Sequence, residues 1–323
     1  MTPGIDWSAL DGLPPLPPAP GPRRTGATRI ANIPPPVLNA LNAGRDETIT
    51  LVEWLAIDIP TLIAVACRDA GLGAHASQLS KAAADRHQSP FMQRLKGAAA
   101  GLHSALAHSR ADASTLRHLA HHPSDMVRAW LGLAHGLDQG RDLHARLHTA
   151  RLFAADRSAA VRECAWDALR PHLAADLPRA FTLLASWVLD PDANIRRCAI
   201  EATRPRGVWC THIETLKDDP SPAEPLLNAV RSDPSRYVLA SAANWINDAS
   251  KSQPEWAKRL CARWSKDSKT THTTWLVTRA LRTIAKEQAQ KQAKPSRRAK
   301  PTPPAGAQAK TPRKQTRPRI ARR

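Results

Sequence analysis

The chain of 323 residues has little of what most catalytic and membrane folds require. It holds one tyrosine and three phenylalanines, and no apolar run approaches the roughly 18 residues that cross a bilayer. The first residues lack the charged-then-apolar pattern of a secretory signal, so none is expected. Five cysteines (Cys67, Cys164, Cys198, Cys210 and Cys261) form no CxxC pair. Their odd number argues against a disulfide framework and for a reducing, cytosolic compartment. The chain has no HExxH, glycine-rich phosphate loop, nucleophile elbow or paired-cysteine zinc site. Histidines cluster between residues 103 and 148, and His144 and His148 are i, i+4. No third ligand is placed beside them, so no metal and no cofactor is expected. Acid is scarce as well: 28 Asp and Glu face 47 Lys and Arg, a net charge of +19.

The excess of base has a definite place. Residues 288–323 carry twelve Lys or Arg and no acid, which leaves +7 for everything else. Residues 1–28 are rich in proline and glycine, eight of them between Gly12 and Pro22. Neither end has the apolar surface to offset the entropy of ordering it. The expected layout is a disordered Pro-rich segment 1–28, a folded domain 29–286, and a disordered basic tail 287–323. A detached cationic tail suits a polyanion, and nucleic acid is favoured because neutralising phosphates releases counterions. A membrane partner is not expected, since the tail has no hydrophobic anchor. Deleting residues 288–323 should weaken binding to every duplex alike and make the slope of log K against log salt shallower by several units. Titrations at several salt concentrations check this, and an unchanged slope would mean that the tail does not touch DNA.

The middle of the chain repeats. Four segments align, beginning at Pro123 (PSDMVRAWLGLAHG), Asp156 (DRSAAVRECAWDALRP), Asp190 (DPDANIRRCAIEATRP) and Asp233 (DPSRYVLASAANWIND), with a weaker fifth from Thr271. Their leading apolar anchors are Val127, Val161, Ile195, Val238 and Val277, spaced 34, 34, 43 and 39 residues apart. Each opens a stripe at i, i+3, i+4 and i+7, such as Val161, Cys164, Ala165 and Ala168. That spacing turns one helix face into a shared core. The Asp before each segment suits a helix N-cap. Partner helices are expected around 143–153, 179–189 and 254–264. Helix pairs of this period define HEAT-like repeats. The expected fold is therefore all-α, a right-handed α-solenoid of HEAT-like helix pairs with disordered termini.

Several side chains within the repeats could carry chemistry. Glu163 stands at anchor+2, where the other repeats have Ala129, Arg197 and Ala240, so the repeat does not itself demand an acid there. A surface ion pair to Arg162 or Arg197 is the alternative to a catalytic role. Asp167, Glu201 and Asp248 are further acids on helices. Arg128, Arg162 and Arg196 share anchor+1, which suits an Asp–Arg ladder between repeats. Ten tryptophans are expected to be mostly core, with one or two free to meet a cationic ring.

The segments ETITLVEWLAID from Glu47, VRECAWDALRP from Val161, NIRRCAIEATRPRGVWC from Asn194, YVLASAANWINDASKSQPEW from Tyr237 and TRALRTIAK from Thr278 resemble the AlkC/AlkD-type DNA alkylation-repair glycosylases. The resemblance is closer to the AlkC branch, covers roughly residues 28–286, and leaves out both tails. It implies a monomeric solenoid that grips double-stranded DNA and excises cationic N-alkylated bases such as 3-methyladenine. It also implies Glu163 as the catalytic carboxylate, with Asp248 as a second acid. Arg197 matches a phosphate-contacting arginine. Arg162, Arg204, Arg206, Asn244, Trp245 and Lys251 complete the expected DNA-binding set, and Trp166 and Trp209 are expected to face the lesion. The tryptophan-rich acid motif of the AlkD branch is absent here, and Asn244 replaces a tryptophan. A nucleic-acid-binding scaffold without catalysis is the second reading, and a protein-binding adaptor the third.

Overall fold

In the computed structural model, residues 4–18, 24–84, 90–207 and 210–293 are described, and among them there are helices and no strands. The five repeats each present one anchor helix: Asp125–Ala134, Ala159–Ala175, Ala193–Ala202, Arg236–Ala249 and Thr271–Ala280. Successive anchor helices pack on one another, and partner helices such as Leu143–Ala154 and Pro254–Asp267 lie beside them. The stripe read from the sequence is the packed face. Val161, Cys164, Ala165 and Ala168 are buried, as are Val238, Ser241, Ala242 and Trp245. Cys164 and Cys198 sit there as free, small, buried side chains. Burial above all, against the pull of Arg197 and with smaller pushes from the Glu163 and Glu201 carboxylates, leaves the Cys198 thiol pushed up to about 12. A thiol held protonated in this way is packing material.

The fifth repeat begins where the sequence placed it, at Thr271, but its anchor lies earlier than Val277. Thr273, Leu276 and Ala280 are buried while Val277 is only half-buried. The true anchor is Thr273, 35 residues after Val238. A threonine hid it, because its hydroxyl is satisfied internally by donating to the Arg231 carbonyl at 3.1 Å.

The aspartates ahead of the repeats are also put to a different use. Ser158 and Asp192 cap the second and third anchor helices by accepting from the N–H two residues on. Asp156 and Asp233, two residues before the caps, are the acidic rungs of a ladder. Arg128 donates to Asp156 at 2.7 and 3.0 Å, and Arg196 to Asp233 at 2.6 and 2.9 Å. A bidentate pair aligned this way ties one repeat to the next.

The N-terminal segment departs from the expected disorder. Trp7, Ala9 and Leu10 are buried against the helices Ala113–Ala120 and Leu143–Ala154. The Trp7 indole donates to Asp138 Oδ2 at 3.1 Å, and Arg117 donates to the Ala9 carbonyl at 3.0 Å. Two large apolar side chains, each contributing on the order of 2 kcal/mol when buried, are enough to dock a short segment whose composition otherwise reads as linker. Toward the other end, the last helix, Arg282–Ala293, runs past residue 286. Residues 294–323, most of the basic tail, lie outside the described residues.

Two further helices place the wall opposite the second repeat. They are Leu51–Ala56, capped by the Thr50 hydroxyl, and Phe91–Ser109, which packs on the first anchor helix. Trp54 and Phe91 meet edge to face, 4.8 Å between ring centres, and lock the two together.

Candidate functional site

A cavity of about 980 Å3 opens between these two helices and the start of the helix Ala159–Ala175. One side is apolar, with Leu51, Trp54, Leu55, Phe91 and Met92. The other side carries Arg157, Arg162, Glu163, Trp166 and Asp167, and Lys96 reaches across. Anchor+2 and anchor+5 lie on one side of the helix, so Glu163 and Trp166 point together. The Trp166 indole donates to Glu163 Oε2 at 3.0 Å, while Arg197 from the next repeat donates to Oε1 at 2.6 Å. Of the two partners open to Glu163 in the sequence, Arg197 is the one it takes. The Glu163 side chain remains about a third exposed, so it is fixed in place yet open to a ligand. Lys96 stands 2.7 Å from Asp167, at an angle poor for a hydrogen bond.

Arg197 is itself held from three sides. Its guanidinium lies 4.4 Å over the Tyr237 ring, pairs with Glu163, and approaches Glu201 at 3.8 Å. Burial pushes its pKa down, and the two carboxylates outweigh this and leave it above the ordinary arginine value. From Glu201 the charges continue to alternate. Glu201 accepts from Arg204 and from the Ser241 hydroxyl, Arg204 donates to Asp248 at 2.9 and 2.6 Å, and Lys251 to Asp248 at 3.0 Å. One line of ion pairs, Glu163–Arg197–Glu201–Arg204–Asp248–Lys251, thus crosses three repeats.

That line corrects several expectations. Asp248 is buried, and both of its oxygens are occupied by Arg204 and Lys251; it does not line the Glu163 cavity. Its place is an inter-repeat anchor, with Arg204 likewise committed to Glu201 and Asp248. Trp245 is fully buried, and its indole donates to the Thr203 carbonyl at 3.0 Å, so its ring faces core and not a ligand. A tryptophan at anchor+7 belongs to the apolar stripe, and the register itself could have shown this. Arg206 donates to the Asp248 carbonyl at 3.2 Å, and Asn244 accepts from Arg282 at 2.9 Å. Both are partly exposed, and Lys251 is exposed. Trp209 lies outside the described residues.

The structure therefore gathers Arg162, Glu163 and Trp166 on one cavity wall, with Arg197 directly behind. Sequence reading missed the opposite wall, whose residues come from segments about 70 and 110 positions earlier, and it missed Tyr237. No group of three or more His, Cys, Asp or Glu side chains able to hold a metal occurs among the described residues.

No protein-family model matches the chain. Over 120 residues it is 37% identical to the uncharacterized protein YhaZ of Bacillus subtilis, a match covering 37% of this chain and 33% of that protein. The matched stretch is thus about a third of the relative's length. Among solved structures, the chain matches the Pseudomonas fluorescens alkylpurine DNA glycosylase AlkC bound to DNA containing an abasic site analog. The TM-score is 0.54 with 24% identity, over 69% of this chain and 63% of that one.

The chain shares the AlkC fold.

AlkC thus supplies the architecture that the repeat spacing and the quoted segments pointed to. AlkD2 from Streptococcus mutans aligns more loosely, with a TM-score of 0.45 and 17% identity over 64% of this chain and 88% of that one.

Proposed function

We propose that this protein is a monofunctional DNA glycosylase that releases cationic N-alkylated bases, 3-methyladenine among them, from duplex DNA. The observation that carries the proposal is the Glu163 carboxylate, fixed by Trp166 and Arg197 yet open on a cavity wall beside uncommitted base. Alkylating a purine at N3 or N7 makes the base a cation and weakens its bond to the sugar, so the leaving group needs no acid. What remains to be supplied is stabilisation of the positive charge that develops on the sugar, and a water. A carboxylate aimed at that charge does the first. Each Glu163 oxygen uses one lone pair on its protein partner and keeps another for the sugar or for a bound water. Trp166 borders the cavity but its ring is buried, with the indole N–H spent on Glu163, so on this reading it positions the carboxylate and offers the lesion little ring face. On this reading Arg162, Arg206 and Lys251 meet phosphates, the last two while also holding Asp248, and the basic tail adds affinity without sequence preference. The protein acts as a monomer in the cytosol, where the alkylated DNA is.

The chemistry predicts a charge selection. Duplexes carrying a cationic N3- or N7-alkylpurine should lose the base, leaving an abasic site and an uncut strand. Duplexes carrying neutral O6-alkylguanine should lose nothing. Equal release of the neutral lesion, measured by chromatography of free bases, would show that the leaving group is being protonated and would reject this mechanism.

A second reading has one observation in its favour. The Glu163–Arg197 pair also ties two repeats together, as a binding scaffold without catalysis would need. Grip on DNA with no release of any base is the result that selects it.

A further inference from the structure

Three arginines share anchor+1, and the repeat gives each the same first contact. Arg128 donates to the carbonyls of His122 and Pro123 (2.7 and 3.2 Å), Arg162 to those of Asp156 and Arg157 (2.6 and 3.0 Å), and Arg196 to those of Asp190 and Pro191 (2.8 and 3.0 Å). The first and third then close on Asp156 and Asp233. The middle one does not. By register its rung is Asp190, but Asp190 accepts from Arg151 on the helix Leu143–Ala154 instead. Arg162 has no carboxylate partner among the described residues, and it belongs to neither line of ion pairs. Its remaining polar contact is a long one, Nε to the Tyr237 hydroxyl at 3.4 Å, with the guanidinium 5.4 Å from the ring centre. The same ring takes Arg197 at 4.4 Å. The chain's one tyrosine therefore carries two guanidiniums, one paired with Glu163 and one with its charge unmatched, at the edge of the cavity.

Placing two like charges on one ring costs repulsion, which an anion bound by the unmatched guanidinium would offset. On the glycosylase reading, that anion is a phosphate of the bound strand. We propose that Tyr237 is the positioning residue of this site: its ring holds Arg197 against Glu163 and steadies Arg162, freed from the ladder, as the seat for one DNA phosphate. The inference rests on the function proposed above. It differs in naming an open rung and the side chain that keeps both arginines in place, neither of which touches the base.

The test compares Tyr237→Leu, Tyr237→Phe and Arg162→Gln in the full chain, with single-turnover base release, plain-duplex binding at several salt concentrations, and thermal melts. Losing the ring in Tyr237→Leu should slow release about tenfold, the scale expected of a partly desolvated cation–π contact. Tyr237→Phe keeps the ring face and should recover most of that loss. Arg162→Gln should make the slope of log K against log salt shallower by about one unit, the signature of one phosphate. The slope is read on undamaged DNA, so it tests the seat even if no base is ever released. Wild-type release from Tyr237→Leu, or equal loss in the Leu and Phe variants, would overturn the positioning role. An unchanged salt slope for Arg162→Gln would overturn the phosphate seat. A loss that only follows a lowered melting temperature in both Tyr237 variants would reduce Tyr237 to a packing residue.

Discussion

Base release should fall by roughly 10²-fold or more in Glu163→Gln, the scale seen when one group that stabilises transition-state charge is removed. The substitution keeps the shape and leaves one oxygen to accept from Trp166 or Arg197, while its amide nitrogen meets the other donor, so it subtracts the charge and one hydrogen bond. In the resting complex a carboxylate near phosphates is unfavourable, and DNA should therefore bind the variant as tightly or slightly more tightly. Stability should move by less than about 1 kcal/mol, because the Glu163–Arg197 pair is partly open to solvent and Arg197 keeps Tyr237 and Glu201. Slower release with undiminished binding places the effect in the transition state. A wild-type rate would make Glu163 a rung between repeats and nothing more.

The second large effect belongs to stability. Arg128 is wholly buried and closes the first rung, donating to Asp156 at 2.7 and 3.0 Å and also to Glu47, which Arg157 contacts at 2.8 Å. Burial penalises its charge, yet hydrogen bonds and charge from Asp156 and Glu47 hold its pKa above the ordinary arginine value. Arg128→Met strands the buried Asp156 carboxylate and should cost about 3–5 kcal/mol. At about 2–4 °C per kcal/mol for a domain of this size, the melting temperature should drop by roughly 6–20 °C. Adding Asp156→Asn should restore much of it, since the penalty lies in the unpaired charge and not in the lost pair. A drop under about 2 °C in the single variant would mean that the ladder does not hold the repeats.

What was legible in the sequence follows from what repeats. The period of the anchors and the apolar stripe recur four times, and repetition made the helix pairs visible over chance. Thr273 broke the pattern's chemistry while keeping its geometry, which is why the fifth anchor was read four residues late, at Val277. Trp7 and Leu10 lie in a proline-rich stretch whose composition says linker; only the groove they fill says otherwise. At the site, Glu163 could be singled out because it departs from the repeat. Asp248 and Arg204 drew notice only through the family resemblance; they neutralise each other across repeats, and no sequence spacing shows which charges are spent on one another. The cavity joins segments far apart in the chain, so its apolar wall had no local signal.

The most direct measurement is single-turnover incubation of the wild-type protein with a duplex bearing one cationic N-alkylpurine, with free base and abasic sites both quantified. The account predicts one intact alkylated base released for each abasic site formed, far above the spontaneous rate and with the strand uncut. Tight binding with release no faster than without protein would contradict it.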